Sequence, residues 1–495
     1  MMVEAQSGSA YGNVVSKPRS LRSHQLAQLL GDWPSVSRKG PLYARLGLGI
    51  RSLILDARIP YGVRLPGERS LAAELHVSRR TVSSAYAMLR EEGVLVSRHG
   101  GGSWTQLPQG RSRQGAAWGP AVWQGSGWLD LAVAAIAGDP RIAMALVKVH
   151  EALPHYLTHH GYTPHGLLAL REAVAEHYTS RGLTTSVEQI AITSGAQQAI
   201  SLVVEALSDP LDPVAIETPT YPGALDVLRR HRSRVIDVGL DDDSASLRIA
   251  MRQVLPRLVY LIADYHNPTG RLLGATQREE LVRTAADCGS QLLVDESFAE
   301  LGFDDSPVVA PLASFGGEGR VISVGSMSKS YWAGLRVGWV RADRTVISHL
   351  VEARATFDMA SPVVDQLLAA ELIRGGSDLL DSRRQMLRIQ RDALVEAIHS
   401  HLPNWQFEVP CGGISLWVNL GEPISTLLTA RAESYQIRLA SGPRFGLSGT
   451  LENFLRIPFT LAPHDIVAAI ERLSAVVTDV NRGWSITAPV GDTLV

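Results

Sequence analysis

The sequence predicts two modules of different class: a small helical unit closed by a β-hairpin, then a large α/β domain. Three observations carry this. Between Lys39 and Thr105, short helical periodicities lead into a glycine-tipped hairpin pattern. From about Asp130 to Ala475, helical stretches alternate with short apolar runs, the pattern of a sheet covered by helices. Between them, residues 106–127 are rich in Gly, Gln and Ser, the composition of a linker. The expected division is an N-terminal extension at 1–38, the helical unit at 39–105, the linker at 106–128, the α/β domain at 129–478 and a C-terminal tail at 479–495.

Composition narrows the class. A chain of 495 residues with 45% apolar and 19% charged residues is ordinary globular protein with room for two or three domains. The net charge of −2 hides an asymmetry, because Lys39 to Thr105 hold ten Lys/Arg against five Asp/Glu. A compact basic segment on an otherwise acidic chain points to nucleic acid. Cys288 and Cys411, the only cysteines, make neither a disulfide framework nor a metal site. No apolar run reaches membrane-spanning length, and the first residues lack the pattern of a signal peptide, so a cytoplasmic protein is expected.

A short amphipathic helix is expected at Leu21–Leu30. In the helical unit, Pro41 suits a first helical turn, and Leu42, Leu46, Ile50, Leu53 and Ile54 recur at helical spacing. Glu68 to Leu75 forms a second helix. Ser78 caps a third, from Arg79 to Glu92, whose buried stripe is Val82, Ala85, Tyr86 and Leu89. Val94–Val96 and Ser103–Thr105 are the two strands of a hairpin turning at Arg98 to Gly102. Two short helices with a tight turn, followed by a hairpin, make a winged helix-turn-helix. Such a unit sets the start of its recognition helix into the major groove. Arg79, Arg80 and Thr81 are then the groove candidates, Arg69 the phosphate candidate, and Arg98 and Gly100 the wing contacts to the minor groove or backbone. The run from Leu65 to Tyr86, Leu-Pro-Gly-Glu-Arg-Ser-Leu-Ala-Ala-Glu-Leu-His-Val-Ser-Arg-Arg-Thr-Val-Ser-Ser-Ala-Tyr, followed by Leu89-Arg-Glu-Glu-Gly, resembles the GntR-type DNA-binding domain.

In the α/β domain the strand candidates are Gln189–Thr193, Pro213–Glu217, Arg234–Val238, Leu258–Ala263, Gln291–Asp295, Val321–Val324 and Val337–Arg341. Several end in residues that carry chemistry. Ser194-Gly-Ala-Gln-Gln opens a helix, whose N-terminus attracts anions. Tyr221 lies between turn-forming prolines. Asn267-Pro-Thr-Gly follows a third strand, where His266 reads as structural. Asp295 closes a fourth, well placed against a protonated pyridine. Ser326-Met-Ser-Lys329 follows, with Arg336 seven positions on. The chain has four lysines against 43 arginines, so a lysine among small hydroxyls is notable. A Schiff-base lysine needs a lowered pKa so that its neutral amine can attack. Each motif alone has a plain structural explanation; the ordered set does not.

Together these residues resemble the pyridoxal 5′-phosphate (PLP) site of class I aminotransferases, of the PLP-dependent transferase fold type I, over about Asp130 to Val477. The resemblance implies that Lys329 holds PLP as a Schiff base, Asp295 pairs with the pyridine nitrogen, Asn267 bonds the 3′-oxygen and Tyr221 stacks on the ring. It implies phosphate contacts from Ala196, Gln197, Ser326, Ser328 and Arg336. Tyr162 matches the tyrosine that reaches the partner subunit's phosphate, and Arg456 the arginine that clamps a substrate carboxylate. One position departs: Phe298 stands where the family usually has a tyrosine donating to the 3′-oxygen, which weighs against efficient transamination.

With both modules, the chain is similar to the MocR/GabR family of bacterial transcriptional regulators. The resemblance implies a head-to-tail homodimer on double-stranded operator DNA, sensing an amino compound or PLP itself through Lys329. Two alternatives stay open: a working aminotransferase acting on an amino acid and 2-oxo acid pair, and a DNA-binding repressor whose large domain has lost its cofactor. No metal is expected. Effector, regulated genes and sign of regulation are not readable.

Overall fold

A computed structural model describes residues 20–31, 33, 41–55, 58–59, 63–91, 94–98, 102–105, 127–303, 306–317, 319–356, 358–447 and 449–481. The chain divides into two compact units, Met1–Gly115 and Ala116–Val495.

In the first unit, helices α1 (Ser23–Leu30), α2 (Leu42–Leu55), α3 (Glu68–Glu74) and α4 (Arg79–Glu91) are followed by strands β1 (Leu95–Arg98) and β2 (Gly102–Thr105). Leu46 and Ile50 of α2, Leu71 of α3, and the expected stripe Val82, Ala85, Tyr86 and Leu89 of α4 form one buried cluster. The Tyr86 hydroxyl donates to the Pro66 carbonyl at 2.9 Å, so the one polar group in that stripe is satisfied. Ser78 caps α4 as expected, its Oγ accepting from the Thr81 N–H at 3.0 Å. The helix placed in the extension is α1, and its Leu26 and Leu30, with Trp33, join the same core. The core of this unit therefore reaches back to Leu26, ahead of the expected boundary at 39. Leu65 N–H donates to Ser103 at 2.9 Å and Leu21 N–H to Arg64 at 2.9 Å, so residues 63–65 extend the hairpin.

The second unit is built on a seven-stranded sheet. Its strands are β4 (Ile190–Thr193), β5 (Pro213–Thr218), β6 (Arg234–Gly239), β7 (Leu258–Leu261), β8 (Gln291–Asp295), β9 (Val321–Ser326) and β10 (Gly338–Arg341), in the order β4-β10-β9-β8-β7-β5-β6. Strands β5 to β9 pair in parallel, while β10 runs antiparallel to both β4 and β9. All seven expected strands are present. Strands buried on both faces read as unbroken apolar runs, which is why they stood out.

A second sheet was not expected: β3 (Leu129–Leu131), β11 (Ser415–Asn419), β12 (Ile437–Ser441) and β13 (Phe454–Pro458), in the order β11-β13-β12-β3. Helices Ser377–His401 and Pro463–Asn481 supply Leu387, Leu394, Ile466 and Ile470 to its core. The last helix takes in residues 479–481 of the expected tail. Gly127 and Trp128, the end of the expected linker, already belong to this unit, with Arg472 Nη1 donating to the Gly127 carbonyl at 3.0 Å. Trp118 and Trp123 lie outside the described residues.

Candidate functional site

The sheet brings the chemical residues to one edge. Gly338 sits opposite Thr193 on one side and Ser326 on the other, so three strand ends meet. From Thr193 the chain turns through Gly195 into α7, the helix Ala196–Leu207. Two constraints fix glycine at 195. Its φ of 97° is left-handed, and a Cβ there would lie 3.1 Å from the Arg336 guanidinium. Arg336 Nη2 donates to the Ser194 carbonyl at 2.7 Å, which holds the cation over the start of α7. Ser326 Oγ accepts from the Ser328 N–H at 3.2 Å. The N-terminus of α7, Arg336 and the two serines thus offer N–H groups, hydroxyls and a guanidinium that could hold an anion.

Lys329 lies beside it, half-buried, with Nζ donating to the Ala134 carbonyl at 2.7 Å. Its pKa is lowered to about 8, by burial first and then by the nearby charges of Arg456 and Arg336; Asp295 opposes the shift. That is the direction a nucleophilic amine requires. Asp295 is buried at the end of β8, where desolvation raises its pKa. Both its oxygens are held, Oδ1 by the Ser297 N–H at 3.0 Å and Oδ2 by the Tyr260 hydroxyl at 3.0 Å. Burial also raises the Tyr221 pKa, and Asp295, Arg336 and Arg456 act on it too, which places this ring amid the same charges. Gly223 is packed against it, since a Cβ there would lie 2.5 Å from the ring. Gln197 Nε2 donates to the Gly223 carbonyl at 3.0 Å, leaving its buried Oε1 without a partner.

Asn267 is buried in the turn after β7, braced by the His266 N–H to Arg271 carbonyl bond at 2.8 Å. His266 is buried in the same turn: burial lowers its pKa to about 3, and Nδ1 lies 2.9 Å from Thr269 Oγ1. Arg456, from β13, is fully buried. Its Nη2 donates to the Ala132 carbonyl, its guanidinium sits 5.2 Å from the Phe445 ring centre, and Nε has no hydrogen bond. Among the described residues no carboxylate pairs with it, so a substrate carboxylate would complete it. Phe298 packs into the core under the smaller sheet and brings no hydroxyl. Tyr162 is 58% exposed, on a loop tied down by Arg354 Nη1 to the Pro164 carbonyl at 2.8 Å and by the Leu167 N–H to Gln366 Oε1 at 2.7 Å.

These residues fit PLP on the structure's own terms. A buried carboxylate, an amine of lowered pKa, a basic cradle and an unpaired guanidinium match its pyridine nitrogen, aldehyde and phosphate and an incoming carboxylate. PLP, when bound, supplies the electron sink for amine chemistry. Sequence reading missed Tyr260 and the carbonyls of Ala132 and Ala134. Tyr260 meets Asp295 only through the β7–β8 pairing, and the carbonyls follow a strand three residues long.

In the first unit, Arg69, Ser78, Arg79 and Arg80 are exposed and Thr81 is half-buried. Thr81 Oγ1 lies 2.8 Å from Ser78 Oγ, and Arg79 Nε is 3.5 Å from Glu68 Oε2, so the start of α4 is partly ordered before any contact. Arg98 ends β1; Gly100 lies outside the described residues.

Comparison with known proteins agrees with both halves. The profile of Aminotransferase class I and II matches residues 128–473, and that of Bacterial regulatory proteins, gntR family, matches residues 42–104. The HTH-type transcriptional regulator YisV of Bacillus subtilis is 26% identical over 88% of this chain and 95% of its own. The 2-aminoadipate transaminase of Thermus thermophilus is 32% identical over 67% of this chain and 83% of its own. Among solved structures, LysN, an alpha-aminoadipate aminotransferase from Thermus thermophilus complexed with N-(5'-phosphopyridoxyl)-L-leucine, matches with TM-score 0.65 and 27% identity, over 72% of this chain and 94% of that one.

Proposed function

The chain belongs to the aminotransferase class I and II family, with a gntR-type regulatory domain ahead of it, and from that premise we propose a PLP-dependent, DNA-binding transcriptional regulator that senses an amino compound, or PLP itself, at Lys329. One observation carries the reading: a full set of PLP-fitting groups shares a chain with an exposed, pre-capped recognition helix, while position 298 lacks the hydroxyl that turnover would use.

Each residue has a task in this reading. Arg336, Ser326, Ser328 and the backbone of Ala196 and Gln197 take the phosphate. Asp295, fixed by Tyr260, stabilises a protonated pyridine. Tyr221 stacks on the ring, Asn267 bonds its 3′-oxygen, and Arg456 takes the effector's carboxylate. Lys329 would supply the amine that holds PLP. An effector changes DNA binding only by favouring one of two arrangements of the chain. We also infer a homodimer in which Tyr162 reaches the partner's phosphate. Its exposure on an anchored loop supports this, as does the exposed apolar group Met144, Val147 and Leu157. Cytoplasmic location follows from the DNA target; no helix among the described residues is long and apolar enough to cross a membrane.

The test is a gel-shift titration on the DNA upstream of the protein's own gene, with and without PLP and a panel of amino compounds. Retardation that changes with one of them in the wild type, but not in Lys329→Ala, supports the reading. An unaltered response in Lys329→Ala overturns sensing at this lysine. Steady-state transfer between an amino acid and a 2-oxo acid would instead favour an aminotransferase, the reading supported by Lys329, Asp295 and Arg456 together. Phe298→Tyr should raise any such turnover, and an unchanged rate would mean another group serves the 3′-oxygen.

A further inference from the structure

A second cavity, of about 430 Å³, opens at the other end of the same strands. Its lining includes Thr184, Gln189, Gly316, Val321, Arg341 and Asp343. Where Ser326, Gly338 and Thr193 mark the Lys329 end of β9, β10 and β4, Val321, Arg341 and Gln189 mark this end. Arg341 lies three residues beyond Gly338 along β10, roughly 10 Å. The two sites share a sheet and no lining residue.

Arg341 makes this cavity more than a gap. It is only 9% exposed, its Nε is buried without a hydrogen bond, and among the described residues its guanidinium has no side-chain hydrogen bond or ion pair. The nearest carboxylate systems act on it only at longer range. Glu296, deeper in, is held by the hydroxyls of Tyr178 and Ser323 at 2.9 and 2.8 Å, with Arg181 at 3.8 Å. Asp343, on the rim, is exposed; its Oδ1 caps the helix Arg344–Arg354 by accepting from the Thr345 N–H at 2.9 Å, and Oδ2 makes no hydrogen bond among the described residues. A mostly buried guanidinium that is unpaired among the described residues favours a ligand that supplies a counter-charge. The volume suits a small metabolite.

We propose that this cavity binds a small α-amino acid, its carboxylate on Arg341 and its ammonium facing Asp343. A cation inside and a carboxylate at the mouth, two positions apart in sequence, match the two charges of a zwitterion better than a simple anion, which Asp343 would repel. The site needs neither Lys329 nor its cofactor, so it stands apart from the reading above. In a regulator it would give an amino acid a place to bind without touching the PLP.

The experiment uses the full-length, PLP-loaded protein reduced with borohydride, which closes Lys329 to amines. Equilibrium dialysis then measures labelled glycine, L-alanine, L-aspartate and L-glutamate, with acetate and inorganic phosphate as single-sign controls. The inference expects saturable binding of at least one amino acid, with acetate and phosphate at least tenfold weaker. Arg341→Gln and Asp343→Asn should each weaken it at least tenfold. Because Arg341 is buried and its variant can misfold, Asp343→Asn, which keeps the helix cap, and Thr184→Trp, which fills the cavity from its exposed rim, are read alongside. No amino-acid binding to the reduced protein overturns the inference, as does binding unchanged in Asp343→Asn and Thr184→Trp. Phosphate or acetate binding as well as the amino acids also overturns it, leaving a simple anion site. Failure of the Lys329 reading shows separately, as a missing visible absorbance before reduction.

Discussion

Two helix starts in this chain are proposed to hold anions, and they are built in opposite ways. At α4, Ser78 caps the helix while Arg79 and Arg80 stand exposed, Arg79 steadied by Glu68 at 3.5 Å. At α7, Gly195 brings the backbone under Arg336, and Ser326 and Ser328 close the other side. Both use the positive end of the helix dipole and unpaired N–H groups. The open version suits a polymer that must be approached, slid along and left; its affinity should depend steeply on salt. The α7 version suits a single phosphate that stays: Arg336 is itself exposed but is held in place by the Ser194 carbonyl, while Ser326 is buried and Ser328 and the first residues of the helix are half-buried. How far the surrounding groups are ordered beforehand, more than residue type or the exposure of the cation, separates the two helix starts.

The largest expected effect lies on the enclosed side. Lys329→Ala should abolish the visible absorbance of the PLP-loaded protein; a band of normal intensity in that variant would move the attachment elsewhere. In the wild type, only the neutral amine attacks PLP. With a pKa lowered to about 8, the rate of loading of the apoprotein should rise as pH climbs through about 8 and level off above it. A rate still climbing well past that point would mean the amine is not desolvated. Next, Arg336→Met should weaken PLP binding by about 1.5–3 kcal/mol, the worth of a hydrogen bond to a charged group, and PLP binding should depend less steeply on salt than DNA binding does. On the open side, Arg79→Ala should cost about 1–3 kcal/mol on operator DNA if this side chain reads bases. Arg69→Ala should weaken specific and non-specific DNA alike and make the log–log salt slope shallower by about one. Fluorescence anisotropy at several salt concentrations separates the two, and a steep salt dependence for PLP together with a flat one for DNA would break the comparison. The smallest effect is expected from Tyr260→Phe, which removes one of the two bonds to Asp295. PLP affinity should fall by about 0.5–1.5 kcal/mol, and the visible spectrum should titrate at a different pH. An unchanged titration would mean that Tyr260 only fills space.

The parts of this molecule that could be read in advance share one property: their signal is local. The stripe Val82, Ala85, Tyr86 and Leu89 shows helical spacing within one stretch of chain, and Ser78 is a cap three residues before Thr81, whose N–H it accepts. Strands such as Ile190–Thr193 and Leu258–Leu261 read as apolar runs because both faces are covered. Lys329, Asp295, Asn267, Tyr221 and Arg336 could be picked out because each follows a strand or turn of recognisable pattern. Other features had no local signature. The smaller sheet joins Leu129–Leu131 to Ile437–Ser441, and no short-range pattern foretells a pairing over that distance. The helix at Ser23–Leu30 looked detached until its leucines were seen in the core of the first unit.

What the sequence by itself determined, then, is the order of the modules and the residue types of the site. Propensity, periodicity and capping act between near neighbours, and chemistry needs particular side chains. Who meets whom was settled by the three-dimensional fold. Tyr260 reaches Asp295 because β7 and β8 are paired, the amine of Lys329 finds the Ala134 carbonyl, and Arg341 is left with no ion pair among the described residues at the far end of the sheet. Strand register and burial bring together groups far apart along the chain, and those long-range contacts set the charge, the desolvation and the partners that a linear reading cannot supply.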